Sequence, residues 1–205
     1  MGKYRLYFKE PTHIQKPPGE WKPWLPEIVI KHIKLTGVLT NAVGLAIIIY
    51  MMRTLNSDGE LTAWILPIVS GIDSAIIRRI CAVAVALLLT FVIIVVHEAL
   101  HLLITIGKGD LYIYWNKQLF GVSPFSDCML TWGQSVIYKI LPFLVLSVGF
   151  YIVSLFISGA AGNFIKFVAV ANFAMSSGDL LLTPFMFRLP RNAVFHGGGA
   201  WQIRD

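Results

Sequence analysis

Long runs of apolar residues, separated by short polar segments, make up most of the chain. Four runs reach the roughly 20 mostly apolar residues that a helix needs to cross a bilayer. Their apolar residues are consecutive and do not recur at the spacing of an amphipathic helix, which favours membrane spans over helices of a soluble core. The predicted fold is therefore an all-α membrane protein of about four transmembrane helices, at residues 33–52, 80–106, 136–158 and 164–187.

Two segments between these runs carry weaker patterns. Residues 61–69 are apolar but contain Pro67 and are too short to span, so they are predicted to lie at the interface or to be re-entrant. In the polar loop at 107–135, aromatic and β-branched residues flank a polar turn. This predicts a small surface β-hairpin over 111–122, between the second and third spans. An aromatic belt at the membrane surface would give the same pattern.

The composition agrees with membrane insertion, and the placement of charge predicts a topology. Of 205 residues, 56% are hydrophobic and 14% are charged, whereas an ordinary soluble domain has about 25% charged residues. The net charge of +6 comes largely from the N-terminal arm and the ends of apolar runs. That distribution is typical of cytoplasmic segments facing anionic lipid, and no nucleic acid is expected as a partner. We expect an integral protein of the plasma membrane of a prokaryote, with both termini cytoplasmic.

The cysteines and the N-terminal residues add two further expectations. Cys81 lies in a predicted span and Cys128 in a polar loop, so neither a disulfide nor a cysteine metal site is expected. Residues 1–32 have charges and prolines but no apolar core of a signal peptide. The first span is therefore expected to direct insertion.

A histidine–glutamate motif lies inside the second predicted span. Residues 97–101 are His-Glu-Ala-Leu-His, the H-E-x-x-H pattern. On a helix, positions i and i+4 share a face, so His97 and His101 can bind one metal ion while Glu98 is offset from them. In zinc hydrolases the metal lowers the pKa of a water to about 7 and polarises the carbonyl, and a carboxylate takes the proton. Since ionisable residues cost about 2.5–3.5 kcal/mol in mid-bilayer, the motif predicts a zinc site with Glu98 as general base. A histidine pair satisfied by neighbouring helices is the structural alternative.

A zinc site of this kind needs a third protein ligand, and position along the chain favours Asp179. The other downstream candidates lie in the polar loop or the C-terminal tail: Asp110, Asp127, Cys128, His196 and Asp205. Asp179 lies in the fourth predicted span, which runs in the same direction as the second. At the helical rise per residue, it differs from His101 in predicted depth by about 5 Å, or one turn. A buried carboxylate paired with Lys139 or Lys166 is the alternative interpretation of Asp179.

Two other polar residues in the predicted spans receive structural interpretations. Asn172 lies two helical turns before Asp179 on the same face, and an interhelical hydrogen bond is favoured over orientation of a ligand or substrate. Lys139 lies near the start of the third span, where a lysine can extend its ammonium group to the interface.

Together these residues resemble a known family. The His-Glu-Ala-Leu-His motif, the Asp that follows Ser-Ser-Gly in a later helix and Leu-Pro-Phe at 141–143 are similar to the DUF3267 family of zincin peptidases. That family is in turn similar to site-2-protease-type intramembrane metalloproteases. The resemblance covers about residues 80–188. It implies that His97, His101 and Asp179 bind Zn²⁺ and that Glu98 activates water. It also implies that the hairpin offers an edge strand to an extended substrate.

Two departures from site-2 proteases limit what the resemblance implies. Residues 178–179 are Gly-Asp, whereas site-2 proteases usually carry Asp-Gly. The chain also has no room for a PDZ domain. Regulated cleavage of a membrane-tethered transcription factor is therefore not implied.

The predicted function is a membrane-embedded, site-2-protease-like zinc metalloendopeptidase acting on a peptide or membrane-protein substrate. Residues 1–32 would be a cytoplasmic arm, 33–188 the transmembrane metalloprotease domain and 189–205 a cytoplasmic tail. The lipid bilayer is the other expected partner. The alternative is a non-catalytic metal-binding membrane protein acting as a regulator or partner, although an intact Glu98 favours the enzyme. A metal-ion transporter is disfavoured because the predicted spans contain a single cluster of ionisable residues.

Overall fold

The computed structural model describes residues 6–7, 21–23, 42–46, 49, 53, 63–116, 121–188, 190–196 and 199–203. In this part of the chain the protein is mostly helical, with two small β-sheets. The helices are labelled α1 to α5 and the strands β1 to β7. Residues 42–46, 49 and 53 are also helical, but the first predicted span lies largely outside the described residues.

Two helices precede the polar loop. α1 (Leu66–Val69) is a single turn with a proline near its start, where a missing N–H costs nothing. α2 (Ala75–Leu103) is unbroken over 29 residues, because it is mostly aliphatic and contains neither glycine nor proline. The chain turns at Gly107, whose φ of 78° is readily adopted only by glycine. α2 corresponds to the second predicted span.

α3 (Trp132–Ser154) corresponds to the third predicted span and changes helical type along its length. It is α-helical over Trp132–Pro142, π-helical over Phe143–Gly149 and α-helical again over Phe150–Ser154. The π-helical segment begins directly after Pro142, which interrupts regular α-helical hydrogen bonding.

The fourth predicted span is two helices. α4 (Gly159–Met175) and α5 (Ser177–Met186) are separated by Ser176. The prediction of one continuous helix over 164–187 is therefore wrong. The interruption falls in Ser-Ser-Gly at 176–178, because serine and glycine have low helix propensity and here follow one another.

The first sheet lies in the polar loop between α2 and α3. β3 (Leu111–Asn116) pairs antiparallel with β4 (Gly121–Ser126) and parallel with β1 (Leu6–Tyr7). β3 and β4 are thus antiparallel neighbours whose connecting residues lie outside the described ranges, and β4 extends beyond the predicted range of 111–122. The placement of the predicted hairpin at a membrane surface stays a prediction.

The second sheet joins four short strands in the order β2-β7-β6-β5, all antiparallel. In that order they are Trp21–Pro23, Gly199–Ile203, Val194–His196 and Leu130–Thr131. The all-α prediction therefore needs correction, because described residues of the N-terminal arm and the C-terminal tail form strands.

The described residues form two compact units, and α2 and α3 each continue from one unit into the other. The first unit contains Glu98–Leu141, the described residues from Gly178 onward, and both β1 and β2. Its apolar core is built on two buried residues with three partly buried ones packed against them: Met186 and Ala193, then Trp132, Val136 and Phe195.

The second unit contains Pro142–Ser177 and the described residues from 42 to His97. It has two buried apolar clusters, of which one is centred on Trp64 and the other on Ile93. A Cβ atom at Gly44 would lie 2.9 Å from the carbonyl oxygen of Ala174. The absence of a side chain at Gly44 therefore lets two backbones of this unit approach closely, as is common between membrane helices.

The distribution of buried residues in α2 is the reverse of that in a soluble core helix. In the most apolar 18-residue windows of α2 and α3, only 11% and 22% of residues are buried. In α2, Val95 and Val96 are exposed while His97 and His101 are buried. A core helix of a soluble protein buries its apolar side chains instead. Both helices are long and apolar enough to cross a membrane, which suggests membrane insertion.

Candidate metal centre

α2 carries the two motif histidines on its one buried stripe. His97 and His101 are four residues apart, and each side chain is only 4% exposed, like that of Ile93 one turn earlier. Glu98 is half-buried on the same helix and is rotated by about 100° from His97. The regular helix therefore places the two imidazoles together, as the sequence spacing predicts.

The ring of His101 is fixed by a main-chain carbonyl. Its Nδ1 lies 2.6 Å from the carbonyl oxygen of Tyr138, and the two rings stack with centroids 4.8 Å apart. A carbonyl oxygen can only accept, so Nδ1 of His101 carries the proton and donates it. The other ring nitrogen, Nε2, is left to face the predicted metal site.

Asp179 contacts the Nε2 side of this ring. Its Oδ2 lies 3.1 Å from Nε2 of His101, and its Oδ1 lies 2.8 Å from Nζ of Lys139. Because the proton of the neutral His101 ring lies on Nδ1, Nε2 carries a lone pair. This lone pair faces a carboxylate oxygen that also carries lone pairs, so the two atoms repel each other. A proton or a metal cation must lie between them for the contact to be favourable. The pair is thus chemically suited to a cation.

The ring of His97 is fixed by a side-chain amide. Nδ1 of His97 lies 2.8 Å from Oδ1 of Asn172, a residue that is fully buried. The amide nitrogen of Asn172 donates to the carbonyl oxygen of Pro142 at 3.1 Å, with the hydroxyls of Ser147 and Ser176 at 2.8 and 3.3 Å. Because a carbonyl must receive an N–H, the orientation of the amide is determined and its oxygen faces His97. His97 therefore also donates from Nδ1.

Three ligand atoms come together at this place. One atom each from His97, His101 and Asp179 lies within 4.8 Å of the others. Zinc holds nitrogen and oxygen ligands at about 2.0 to 2.2 Å, so its ligand atoms are roughly 3 to 4 Å apart. The three side chains therefore fit a zinc ion with small adjustments. Two imidazoles and one carboxylate are also a donor set that zinc prefers.

The remaining candidate ligands make other contacts. Nδ1 of His196 donates to the carbonyl oxygen of Cys128 at 3.3 Å, and its Nε2 lies 3.5 Å from Oδ1 of Asp127. Burial raises the pKa of the Cys128 thiol above its ordinary value, which disfavours the thiolate that binds metals. Asp110 and Asp127 belong to the loop after α2, and Asp205 lies outside the described residues.

Of three groups that surround the candidate ligands, sequence reasoning missed the Tyr138 carbonyl and weighed Lys139 and Asn172. The Tyr138 carbonyl has no sequence signal, because every residue carries one. Lys139 pairs with Asp179 rather than serving only as an interfacial lysine, so the structural alternative for Asp179 and the metal-ligand geometry occur together. Asn172 makes the interhelical hydrogen bonds expected of it and also orients a ligand. In the sequence, the indication of this second role was that Asn172 lies two helical turns before Asp179.

A buried histidine pair on one helix, joined by a carboxylate from another, could hold a metal ion, and the H-E-x-x-H spacing is the one that zinc peptidases use. The chain belongs to the DUF3267 family, described as "Putative zincin peptidase", whose model matches residues 90–194. The match contains the whole motif and Asp179, and the family description implies a zinc-dependent peptidase. Comparisons with curated proteins and with solved structures found no match.

Proposed function

We propose that this protein is a membrane-embedded zinc metalloprotease in which His97, His101 and Asp179 bind the metal and Glu98 is the general base. The observation that carries the proposal is the convergence of three ligand atoms within 4.8 Å of one another. Their surroundings support it, because both rings donate from Nδ1 to a fixed acceptor and so present Nε2. The family supports peptidase chemistry independently.

Each residue of the proposed site has its own role in hydrolysis. A bound zinc ion would supply Lewis acidity, both to polarise a peptide carbonyl and to acidify a water. Glu98, adjacent to one ligand and offset from the other, takes the proton of the attacking water and returns it to the leaving amine. Lys139 holds the outer oxygen of Asp179, so that the inner oxygen stays directed at the site. The burial of both histidines limits access of bulk water.

The membrane and the substrate belong to the same proposal. α2 and α3 expose apolar surface that lipid would cover, which supports insertion. Both termini would then lie in the cytoplasm, as the distribution of basic residues favours. An extended segment of a peptide or membrane protein would add to the edge of the β1-β3-β4 sheet, where β4 is the outer strand of those described.

A base-removing variant tests the proposal. Wild type, Glu98→Gln and Asp73→Asn are purified in detergent, their zinc content is measured by mass spectrometry, and each is incubated with unstructured and membrane-derived peptides. Asp73 is an exposed acid just before α2, so its variant controls for the loss of one carboxylate. We expect equal zinc in all three and cleavage reduced about 10²–10⁴-fold only in Glu98→Gln.

The other outcomes separate the alternatives. Zinc binding without cleavage by wild type would contradict the peptidase and support a metal-binding regulator. Wild type that binds no zinc would contradict the metal centre itself. Zinc transport into vesicles that contain wild type would support a transporter.

A further inference from the structure

A proline inside α3 removes one helical hydrogen bond next to the site. Pro142 has helical backbone angles, with φ −60° and ψ −38°, and is fully buried. Proline has no N–H, so the carbonyl four residues earlier receives no helical donor from this position. That carbonyl belongs to Tyr138. A buried carbonyl deprived of its donor must find another one.

The substitute donor is the imidazole of a predicted metal ligand. Nδ1 of His101 lies 2.6 Å from this carbonyl oxygen, well within hydrogen-bonding distance. In a regular α-helix the same oxygen would already accept from the N–H of residue 142. The oxygen would then accept hydrogen bonds from two donors at once, the N–H of residue 142 and the imidazole of His101. Because residue 142 has no N–H, the donor that a regular α-helix would supply does not compete with His101 for this oxygen.

The same residue also serves the second histidine. The carbonyl oxygen of Pro142 accepts from the amide of Asn172 at 3.1 Å, and that amide accepts from His97. The π-helical segment that follows Pro142 carries Ser147, the second partner of the Asn172 amide. Wider helical turns of this type are frequent at functional sites.

We propose that Pro142 is a positioning residue that sets the tautomer of both metal-binding histidines, by freeing the Tyr138 carbonyl for His101 and by anchoring Asn172 for His97. This inference rests on the proposed metal centre. It assigns a physical role to a residue that contacts neither the metal nor the substrate. The role is indirect: the residue acts through two main-chain carbonyls and one amide.

Substitution of this proline by alanine returns the missing N–H. In Pro142→Ala the new N–H shares the Tyr138 carbonyl with His101, so the hydrogen bond from His101 is weakened. We expect zinc affinity, measured by competition with a chelator, to fall about 10–100-fold. Pro184→Ala is the matched control, because Pro184 is also inside a helix but its missing N–H faces the carbonyl of Leu180. The zinc affinity of Pro184→Ala should stay within about twofold of wild type, because the Leu180 carbonyl does not orient a histidine ring.

A spectroscopic measurement separates orientation from general damage to the fold. In zinc-free wild type labelled with ¹⁵N-histidine, long-range ¹H–¹⁵N spectra should show His97 and His101 protonated at Nδ1. In Pro142→Ala the His101 signals should change to a mixture of tautomers, and Pro184→Ala should resemble wild type.

Three results would overturn the inference. The first is a wild type whose His101 lacks a proton at Nδ1. The second is Pro142→Ala with unchanged tautomers and unchanged zinc affinity. The third is Pro142→Ala with a lower zinc affinity but wild-type tautomers, since the affinity would then not depend on the tautomer of His101. If wild type bound no zinc at all, the proposed function would fail, whereas the zinc-free spectra would still test the tautomers.

Discussion

The surroundings of His97 and His101 differ although the two histidines are equally buried on one helix. His97 donates to a side-chain amide that is itself held by three further contacts. His101 donates to a main-chain carbonyl and stacks on the ring of the same residue. One ligand is therefore oriented by a chain of side chains and the other by the backbone.

This difference predicts which substitutions disturb the orientation of each histidine. A side-chain acceptor can be deleted by one substitution, but a carbonyl oxygen persists whatever residue carries it. Substitution of the residue that carries the acceptor should therefore disturb His97 at Asn172 but not His101 at Tyr138, whose carbonyl depends instead on the residue four positions later. The following variants test that asymmetry, beginning with the largest expected effect.

Removal of the Asn172 amide should release His97 alone. In Asn172→Leu the N–H of His97 is buried without an acceptor, at a cost of about 1–3 kcal/mol. Zinc affinity measured by chelator competition should fall about 10–100-fold. Asn163→Leu makes the same change near the start of α4 and should leave affinity unaltered. Equal changes in the ¹⁵N signals of His97 and His101 would show that the two rings are not held independently.

Removal of the Lys139 ammonium group should weaken the zinc-free protein more than the zinc-loaded one. The Lys139 and Asp179 side chains are 30% and 14% exposed, so the pair is intermediate between surface and buried pairs. In Lys139→Met the unfolding free energy without zinc should fall by about 1–2 kcal/mol. Added zinc should restore most of the lost thermal stability, because it also neutralises Asp179.

Two controls accompany the lysine variant. Lys139→Arg keeps the charge and should retain most of the stability, and Lys108→Met removes an exposed lysine after α2 and should change little. Equal destabilisation of Lys139→Met with and without zinc would contradict a role for Lys139 at the ligand carboxylate.

Removal of the Ser147 hydroxyl should have the smallest effect, because the Asn172 amide keeps its bonds to Pro142 and Ser176. We expect a loss of about 0.5–1.5 kcal/mol of stability in Ser147→Ala and a change in zinc affinity of less than about threefold. Ser154→Ala deletes another buried hydroxyl of α3, one that bonds to the carbonyl of Tyr151, and should cost similar stability with no change in affinity. An affinity loss as large as that of Asn172→Leu would show that the amide depends on this one contact.

The long helices and the ligand set were the parts most open to prediction from the sequence. α2 and α3 follow from continuous apolar runs, which leave no competing structure, and their ends differ from the predicted ones by a few residues. The pairing of His97 with His101 follows from helical geometry alone. The choice of Asp179 followed from its depth in a later span, and its carboxylate does meet His101.

The strands of the second sheet and most of the contacts that orient the two histidines could not be predicted from the sequence. β2, β5, β6 and β7 have two to five residues each, and two of their three pairings, β2 with β7 and β5 with β6, join segments more than 60 positions apart, so local patterns hold little information about them. The Tyr138 carbonyl is a backbone atom, and its availability depends on the residue four positions later. The sequence left Lys139 and Lys166 as alternative partners of Asp179, and only the placement of α3 and α5 decided for Lys139.

The interruption at Ser176 has an electrostatic consequence for the third ligand. In one continuous helix Asp179 would lie in the middle of the helix, where peptide dipoles cancel between neighbouring turns. Because α5 starts at Ser177, the carboxylate instead lies in the first turn, beside the partial positive charge of the helix N-terminus. That macrodipole favours an acidic side chain by about 0.3–1 kcal/mol. Two serines and a glycine thus help to keep a negative charge in an apolar helical segment before a metal ion binds.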